Sequence, residues 1–276
     1  MLKINHFDGV TRFDLARTFA GRGRYWTTAY LVDGMMMDTG CAHCAPELVN
    51  ALSDETVVRI VNTHSHKDHI GANGHLQHQR DGLEILAHPW ALPILADPRG
   101  KQSPQFYRRM FWGWPEPSLG QPVADQALIK TEHHCFRVVY TPGHGPDHLC
   151  LYEPEQGWLF TGDLFVGGWD RAIRTDYDIW QIIASLKQIA MLPVVKLFPG
   201  SAQVLEHPKR ELDSKVSYLE DLGEQVLELH QQGWEVKAIV RTLCGGPMLV
   251  ELLTLGHFSR RRLVLSYLGM NDEYLL

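Results

Sequence analysis

No stretch of this 276-residue chain approaches the roughly 20 apolar residues that span a membrane, so no membrane association is expected. The opening residues, Met1-Leu2-Lys3-Ile4-Asn5-His6-Phe7-Asp8, lack the apolar run of an export signal. Cysteine is scarce and odd in number, five in all, which argues against a disulfide framework and for free thiols in a reducing, cytoplasmic setting. Excess basic charge is missing too. A net charge of −6 gives no global positive field, so nucleic acid is not favoured on charge grounds. A local basic patch from Arg108, Arg109, Arg171 and Arg174 stays open. With 45% hydrophobic residues the chain has enough apolar material for a real core.

What the chain does have is histidine, fifteen in all, and their placement matters more than their number. The segment Thr63-His64-Ser65-His66-Lys67-Asp68-His69 puts three imidazoles and a carboxylate into the six residues from His64 to His69. It follows an apolar β-branched run, Val57, Val58, Ile60 and Val61, that reads as a buried strand, so the polar groups gather at the strand's C-terminal mouth. Imidazole and carboxylate are the donors a zinc- or iron-class divalent metal prefers. In an extended loop His64 and His66 point the same way, because side chains alternate with period two. Asp68 and His69 follow on the turn and can face a second point. One segment can therefore supply two metals.

The rest of the chain alternates strands, turns and helices. Residues 25–32 and 35–37 flank Asp33-Gly34, a strong hairpin dipeptide. Helices are expected over 45–52, 71–79 and 178–191, and strands over 83–87, 135–140, 149–152, 158–161 and 194–198. Six prolines interrupt residues 89–120, around the aromatic and basic cluster at 106–114. That insert reads either as a substrate lid or as a helix packing its aromatics on the core. After Gly200 the texture turns helical. Leu212, Val216, Leu219, Leu222, Val226 and Leu229 form an amphipathic stripe that stops near Gly233, and further helices are expected over 235–243 and 259–268.

Five landmarks in order then resemble the metallo-β-lactamase-fold hydrolase superfamily. They are Asp38-Thr39-Gly40, the His64–His69 motif, Thr141-Pro142-Gly143-His144, Thr161-Gly162-Asp163 and Leu197-Phe198-Pro199-Gly200. The resemblance implies an α+β fold, the αββα sandwich, over residues 1–208, with a lid-like insert at 89–120 and a C-terminal helical region at 209–276. The tail is expected to pack on the sandwich or against a second subunit of a homodimer. Arg260-Arg261-Arg262 gives it a weaker nucleic-acid reading.

The resemblance also implies the ligand sets. His64, His66 and His144 would form a first metal site with an open position, and Asp68, His69 and Asp163 a second, with Asp163 reaching both. Zn²⁺ is expected, with iron or manganese open. A metal-acidified water would attack an ester, thioester or lactone carbonyl of a small molecule, with Asp68 as a candidate proton donor. The superfamily's last ligand histidine is replaced by Ser201, so one tight metal and one weaker are expected. Water or His207 could fill the gap. His148 is a candidate proton shuttle or orienting partner, and Trp169, Arg171, Arg174 and Tyr177 are candidates for substrate contact. Cys41 in Cys41-Ala42-His43-Cys44 is a candidate pocket wall. The resemblance leaves two alternatives open: an iron persulfide dioxygenase on His64, His144 and Asp163, and a nuclease.

Overall fold

A computed structural model describes residues 1–246 and 248–270. Pro247 and 271–276, the end of the expected tail, lie outside the described residues. Two sheets face each other. The first runs β1 (Leu2–Phe7), β2 (Val10–Phe19), β3 (Arg22–Val32), β4 (Met35–Met37), β5 (Arg59–Val61), β6 (Glu84–Ala87) and β7 (Gln121–Pro122), in that order. Its first four strands pair antiparallel and β4 to β7 pair parallel. The Asp33-Gly34 hairpin forms as its dipeptide predicts, with Val32 opposite Met35 and both turn residues at positive φ. The opening pair β1–β2 had no sequence signal strong enough to place it. The expected strand at Val57 is shorter than its apolar run, because Val57 and Val58 precede the ladder and Val58 lies exposed.

The second sheet contains β8 (Leu128–Lys130), β9 (Cys135–Tyr140), β10 (Leu149–Glu153), β11 (Trp158–Gly162), β13 (Lys196–Pro199) and β14 (Leu205–Glu206). A separate two-stranded ribbon pairs β12 (Ile173–Arg174) with β15 (Phe258–Ser259). Period-two alternation sorts the core into layers. Met35 and Met37 enter the inter-sheet core with Leu149, Leu151, Phe160 and Phe198. Met36 turns the other way, onto α1 (Ala45–Ala51) and α2 (Asn73–Gln79). Cys150, Leu159 and Leu197 turn outward from the second sheet onto α6 (Ile179–Ala190) and α7 (Lys209–Gln231). Helix, sheet, sheet and helix make the αββα sandwich.

The insert folds as α3 (Leu92–Ala96), α4 (Pro98–Lys101) and α5 (Phe106–Trp112). The tail continues through α8 (Val236–Ile239), α9 (Leu249–Leu253) and α10 (Arg260–Tyr267). The stripe expected on the long helix is buried at Leu212, Val216, Leu219, Leu222 and Val226, and Leu263, Val264 and Tyr267 join the same cluster as Ile182 and Leu186. The tail and the second sheet thus share one core. Among the described residues, no helix is long and apolar enough to cross a membrane.

Candidate metal centre

Every element that supplies a site residue ends at the same edge. Asp38 follows β4, the histidine motif follows β5, His144 and Asp163 follow β9 and β11, and Gly200-Ser201 follows β13. Two local devices hold these ends together. The Asp38 carboxylate accepts from the Thr63 backbone N–H at 2.8 Å, the Thr63 hydroxyl at 2.7 Å and His69 Nδ1 at 2.7 Å. The Asp147 carboxylate accepts from the Ser65 backbone N–H at 2.8 Å, tying the His144 loop to the histidine motif. Glycine is required where these ends meet. A Cβ at Gly162 would lie 2.7 Å from Thr63 Oγ1 and 2.8 Å from His148 Nε2, and one at Gly200 would lie 2.7 Å from Asp163 Oδ1.

This network fixes ring tautomers. Thr63 gives its hydroxyl proton to Asp38, so His64 Nδ1–H donates to Thr63 Oγ1 at 3.0 Å. His64 Nε2 is then a lone pair, fully buried and without a hydrogen-bond partner among the described residues. His69 donates through Nδ1 and points Nε2 at Asp163 Oδ2, 3.3 Å away, and at Asp68 Oδ2, 4.0 Å away. His144 Nε2 lies 3.4 Å from Asp163 Oδ2 and 3.1 Å from His66 Nδ1. Two groups result whose donor atoms fall within 4.8 Å of one another: His64, His66 and His144, and His64, His69 and Asp163. Asp68 stands beside the second. All six expected ligands are brought together, and His64 belongs to both groups.

The donor chemistry fits a divalent metal. Burial holds His64, His66 and His144 well below the ordinary imidazole range, keeping them in the neutral form that ligates. Burial also raises Asp68. Burial would lower His69, yet the Asp163 and Asp38 carboxylates outweigh it and hold the ring raised. Two carboxylates converging on one imidazole demand positive charge there, which a cation supplies. An orphaned, buried Nε2 aimed into such a cluster otherwise costs about 1–3 kcal/mol.

Other expectations sort unevenly. His148 is fully buried, donates from Nδ1 to Thr141 Oγ1 at 2.9 Å and accepts the Asp163 backbone N–H on Nε2 at 3.2 Å. Tyr177 Oη lies 3.2 Å from His144 Nε2, and Arg174 Nη2 lies 2.7 and 2.8 Å from the His66 nitrogens. Both line a cavity of about 270 Å³ that opens over Asp68 and Asp163. Trp169 and Arg171 are not at that cavity. Trp169 is half exposed and packs on Tyr218, in a loop held by Lys215 Nζ on Asp170 at 2.7 Å. His207 does not reach the centre either. Its N–H bonds the Val195 carbonyl at the start of β13, about four residues or 13 Å from that strand's functional end. Cys41 is buried in the outer core of the first sheet rather than on the cavity.

Sequence reasoning singled out Asp38 only as a landmark and overlooked its partner Thr63. Carboxylate behind an imidazole is the recurring support of metal-bound histidine, and Asp-Thr-Gly after a strand was the available signal. Tyr107, Trp112, Val250, Leu253 and Phe258, which wall the cavity, came from the insert and the tail and had no signal tying them together.

The metallo-beta-lactamase superfamily profile matches residues 24–201, more than half of the chain and ending at Ser201. An atrochrysone carboxyl ACP thioesterase of Aspergillus fumigatus is 26% identical over 223 residues, covering 79% of this chain and 63% of that protein. A hydroxyacylglutathione hydrolase of Legionella pneumophila is 28% identical over 187 residues, covering 67% and 64%. The chain thus spans just under two thirds of the length of these curated relatives. A metallo-beta-lactamase family protein from Thermus thermophilus superposes with a TM-score of 0.68 at 18% identity, covering 95% of this chain and 92% of that one. The chain belongs to the metallo-beta-lactamase superfamily.

Proposed function

We propose that this protein is a metal-dependent hydrolase that cleaves an ester, thioester or lactone of a small molecule, with zinc as its metal. The observation that carries the reading is the pair of ligand groups sharing the buried His64, set directly beneath an apolar cavity of about 270 Å³. Similarity to proteins named as a thioesterase and a hydroxyacylglutathione hydrolase supports the same chemistry.

His64, His66 and His144 would hold a first ion, and Asp68, His69 and Asp163 a second. Bound there, the metal would supply a Lewis acid and a water acidified into the neutral range. The remaining work belongs to the chain. Asp38 holds the His69 ring so that Nε2 faces the cavity floor. With both nitrogens engaged, His148 orients the Asp163 backbone rather than shuttling protons. Tyr177 Oη, beside His144 Nε2, is placed to donate to a substrate carbonyl oxygen. Asp68, at the cavity floor, is placed to return a proton to the leaving group. Turnover unchanged in Asp68→Asn with both metals retained would remove that role. Ser201 leaves the second group one histidine short, so the second ion is the weaker. All five cysteines are free thiols, in keeping with a reducing compartment.

The test is metal analysis of purified protein paired with a screen of aryl esters, thioesters and lactones. Hydrolysis abolished by chelator and restored by zinc is expected. Stoichiometric iron with oxygen uptake on persulfide, and no hydrolysis, would overturn the reading.

A further inference from the structure

Beside the metal centre two buried guanidiniums, of which Arg174 lines the cavity, share a single loosely held carboxylate. Arg108, from α5 of the insert, and Arg174, from β12, are each more than nine-tenths buried. Their ion-pair partner is the same carboxylate, Asp176, which is itself 44% exposed. Both pairs are loose: Arg108 Nη2 lies 3.6 Å from Asp176 Oδ2, and Arg174 Nε lies 3.6 Å from Oδ1. Neither of those nitrogens has a hydrogen-bond partner among the described residues, and both are buried.

Burying a guanidinium costs several kcal/mol unless an anion pairs with it in good geometry. Two guanidiniums sharing one half-exposed carboxylate at 3.6 Å do not meet that condition. A guanidinium presents a planar fork that matches a carboxylate with two parallel hydrogen bonds. Arg174 lines the cavity, Asp68 and Asp163 form its floor, and its walls of Tyr107, Phe111, Trp112, Val250, Leu253 and Phe258 are largely apolar. Its volume is about 270 Å³, against roughly 150 Å³ for a cavity that holds benzene. One substituted ring fits.

We propose that Arg108 and Arg174 form a carboxylate-binding subsite, so that the preferred substrate is an ester or thioester whose acyl part is a ring-sized apolar group bearing a carboxylate. Asp176 holds the two guanidiniums when no substrate is present and yields to the incoming carboxylate. Because Arg174 touches His66, the recognised carboxylate belongs on the acyl side, close to the scissile carbon. This inference rests on the hydrolase reading and names the substrate class of that site.

The experiment compares the metal-loaded enzyme on two thioesters with the same thiol, benzoyl and 2-carboxybenzoyl, and measures binding of phthalate and its monomethyl ester by calorimetry. The expected result is a preference for the carboxylate-bearing thioester of about tenfold or more in kcat/KM, the scale of one charge-assisted hydrogen bond. Arg108→Gln should collapse that ratio towards one, and Arg108→Lys should retain only part of it. Asp176→Asn, a change at a half-exposed position, should enlarge the preference. A wild-type ratio near one, or a ratio untouched by Arg108→Gln, overturns the subsite. So does a preference that shrinks in Asp176→Asn. If neither thioester is hydrolysed yet phthalate binds more tightly than its monoester, and loses that margin in Arg108→Gln, the hydrolase reading fails while the subsite stands. Hydrolysis without charge preference has the opposite meaning.

Discussion

Beneath the cavity, Asp38, Thr63, His69, His148 and Asp163 direct nearly every donor and acceptor at one another, at distances of 2.7 to 3.3 Å. Above it, the insert and the tail meet through the side-chain hydrogen bond between Tyr107 Oη and His257 Nδ1, at 2.8 Å, and through apolar contact. The floor is built from strand ends locked by buried polar groups, which fixes ring tautomers and directs lone pairs. The roof is built from short helices. In α9 no residue is buried, and Leu249, Leu252 and Leu255 face outward. Chemistry that needs placement within a fraction of an ångström sits on the first kind of structure. On the proposed reading, selection among substrates, which tolerates looser packing, falls to the second.

The largest effect should come from the floor. His64→Ala removes a ligand of the first ion whose buried Nε2 also borders the second group. We expect metal content to fall below one ion per chain and turnover to drop on the order of a thousandfold or more, as the acidified water is lost. Normal metal content in that variant would break the contrast between floor and roof. Asp38→Asn is a subtler break. It keeps the shape but removes the charge that His69 Nδ1 donates to, so the ring is free to change tautomer. Loss of such a carboxylate costs about 10–100-fold in metal affinity or activity. The weaker second ion should be the one lost, read by titration with a competing chelator. His148→Gln should follow, with metal retained and kcat lowered more than KM is raised, since the Asp163 backbone loses its acceptor and Thr141 Oγ1 its imidazole donor.

The same division explains what could be read from the chain without its fold. The floor is written in short, contiguous motifs. Asp38-Thr39-Gly40, Gly143-His144 and Gly162-Asp163 each combine a strand end with a turn whose glycine or positive-φ residue leaves little choice, and His64 to His69 gathers four donors in one run after a strand. All six candidate ligands could therefore be named. The roof is written in nothing contiguous. Tyr107 and His257 are 150 residues apart, and Arg174 reaches the cavity because its strand pairs with Phe258-Ser259 of the tail. Spacing says nothing about such a pairing, so Arg171 and Trp169 looked as good as Arg174 and Tyr177. His207 failed as a ligand for a related reason. It lies in sequence near Ser201, but β14 runs antiparallel and carries it back along β13.

Roof variants should give smaller effects and a different kinetic signature. Trp112→Ala opens the apolar wall without touching a ligand of the metal centre. KM for an apolar thioester should rise about tenfold, from loss of roughly 1–3 kcal/mol of apolar contact, while metal content stays put. A fall in kcat with unchanged KM would mean that the roof positions the reacting atoms as well as covering them. Tyr107→Phe deletes only the hydroxyl of the clasp. About 1 kcal/mol is expected, as a lower melting temperature or faster proteolysis at α9.

The clasp should also be the part of the molecule most easily loosened by mild acid. Burial lowers His257 to about 4, helped by Arg108, Arg174 and Arg262 and opposed by Asp176. In an unfolded or opened tail the ring would titrate near 6.5, so between about 6.5 and 4 the open form binds more protons. Closure is therefore fully favoured above about 6.5 and weakens as pH falls through that window. His257 is half buried, so the effect is modest, and a protonated Nδ1 would still face a hydroxyl that can turn its lone pair towards it. Amide exchange over residues 248–259 at pH 7 and pH 5 measures it. Faster exchange at pH 5 in the native protein, with the increment gone in His257→Gln, is the expected pattern. Equal exchange at both pH values would place the roof's stability in its apolar contacts alone, leaving the hydrogen bond as a consequence of closure.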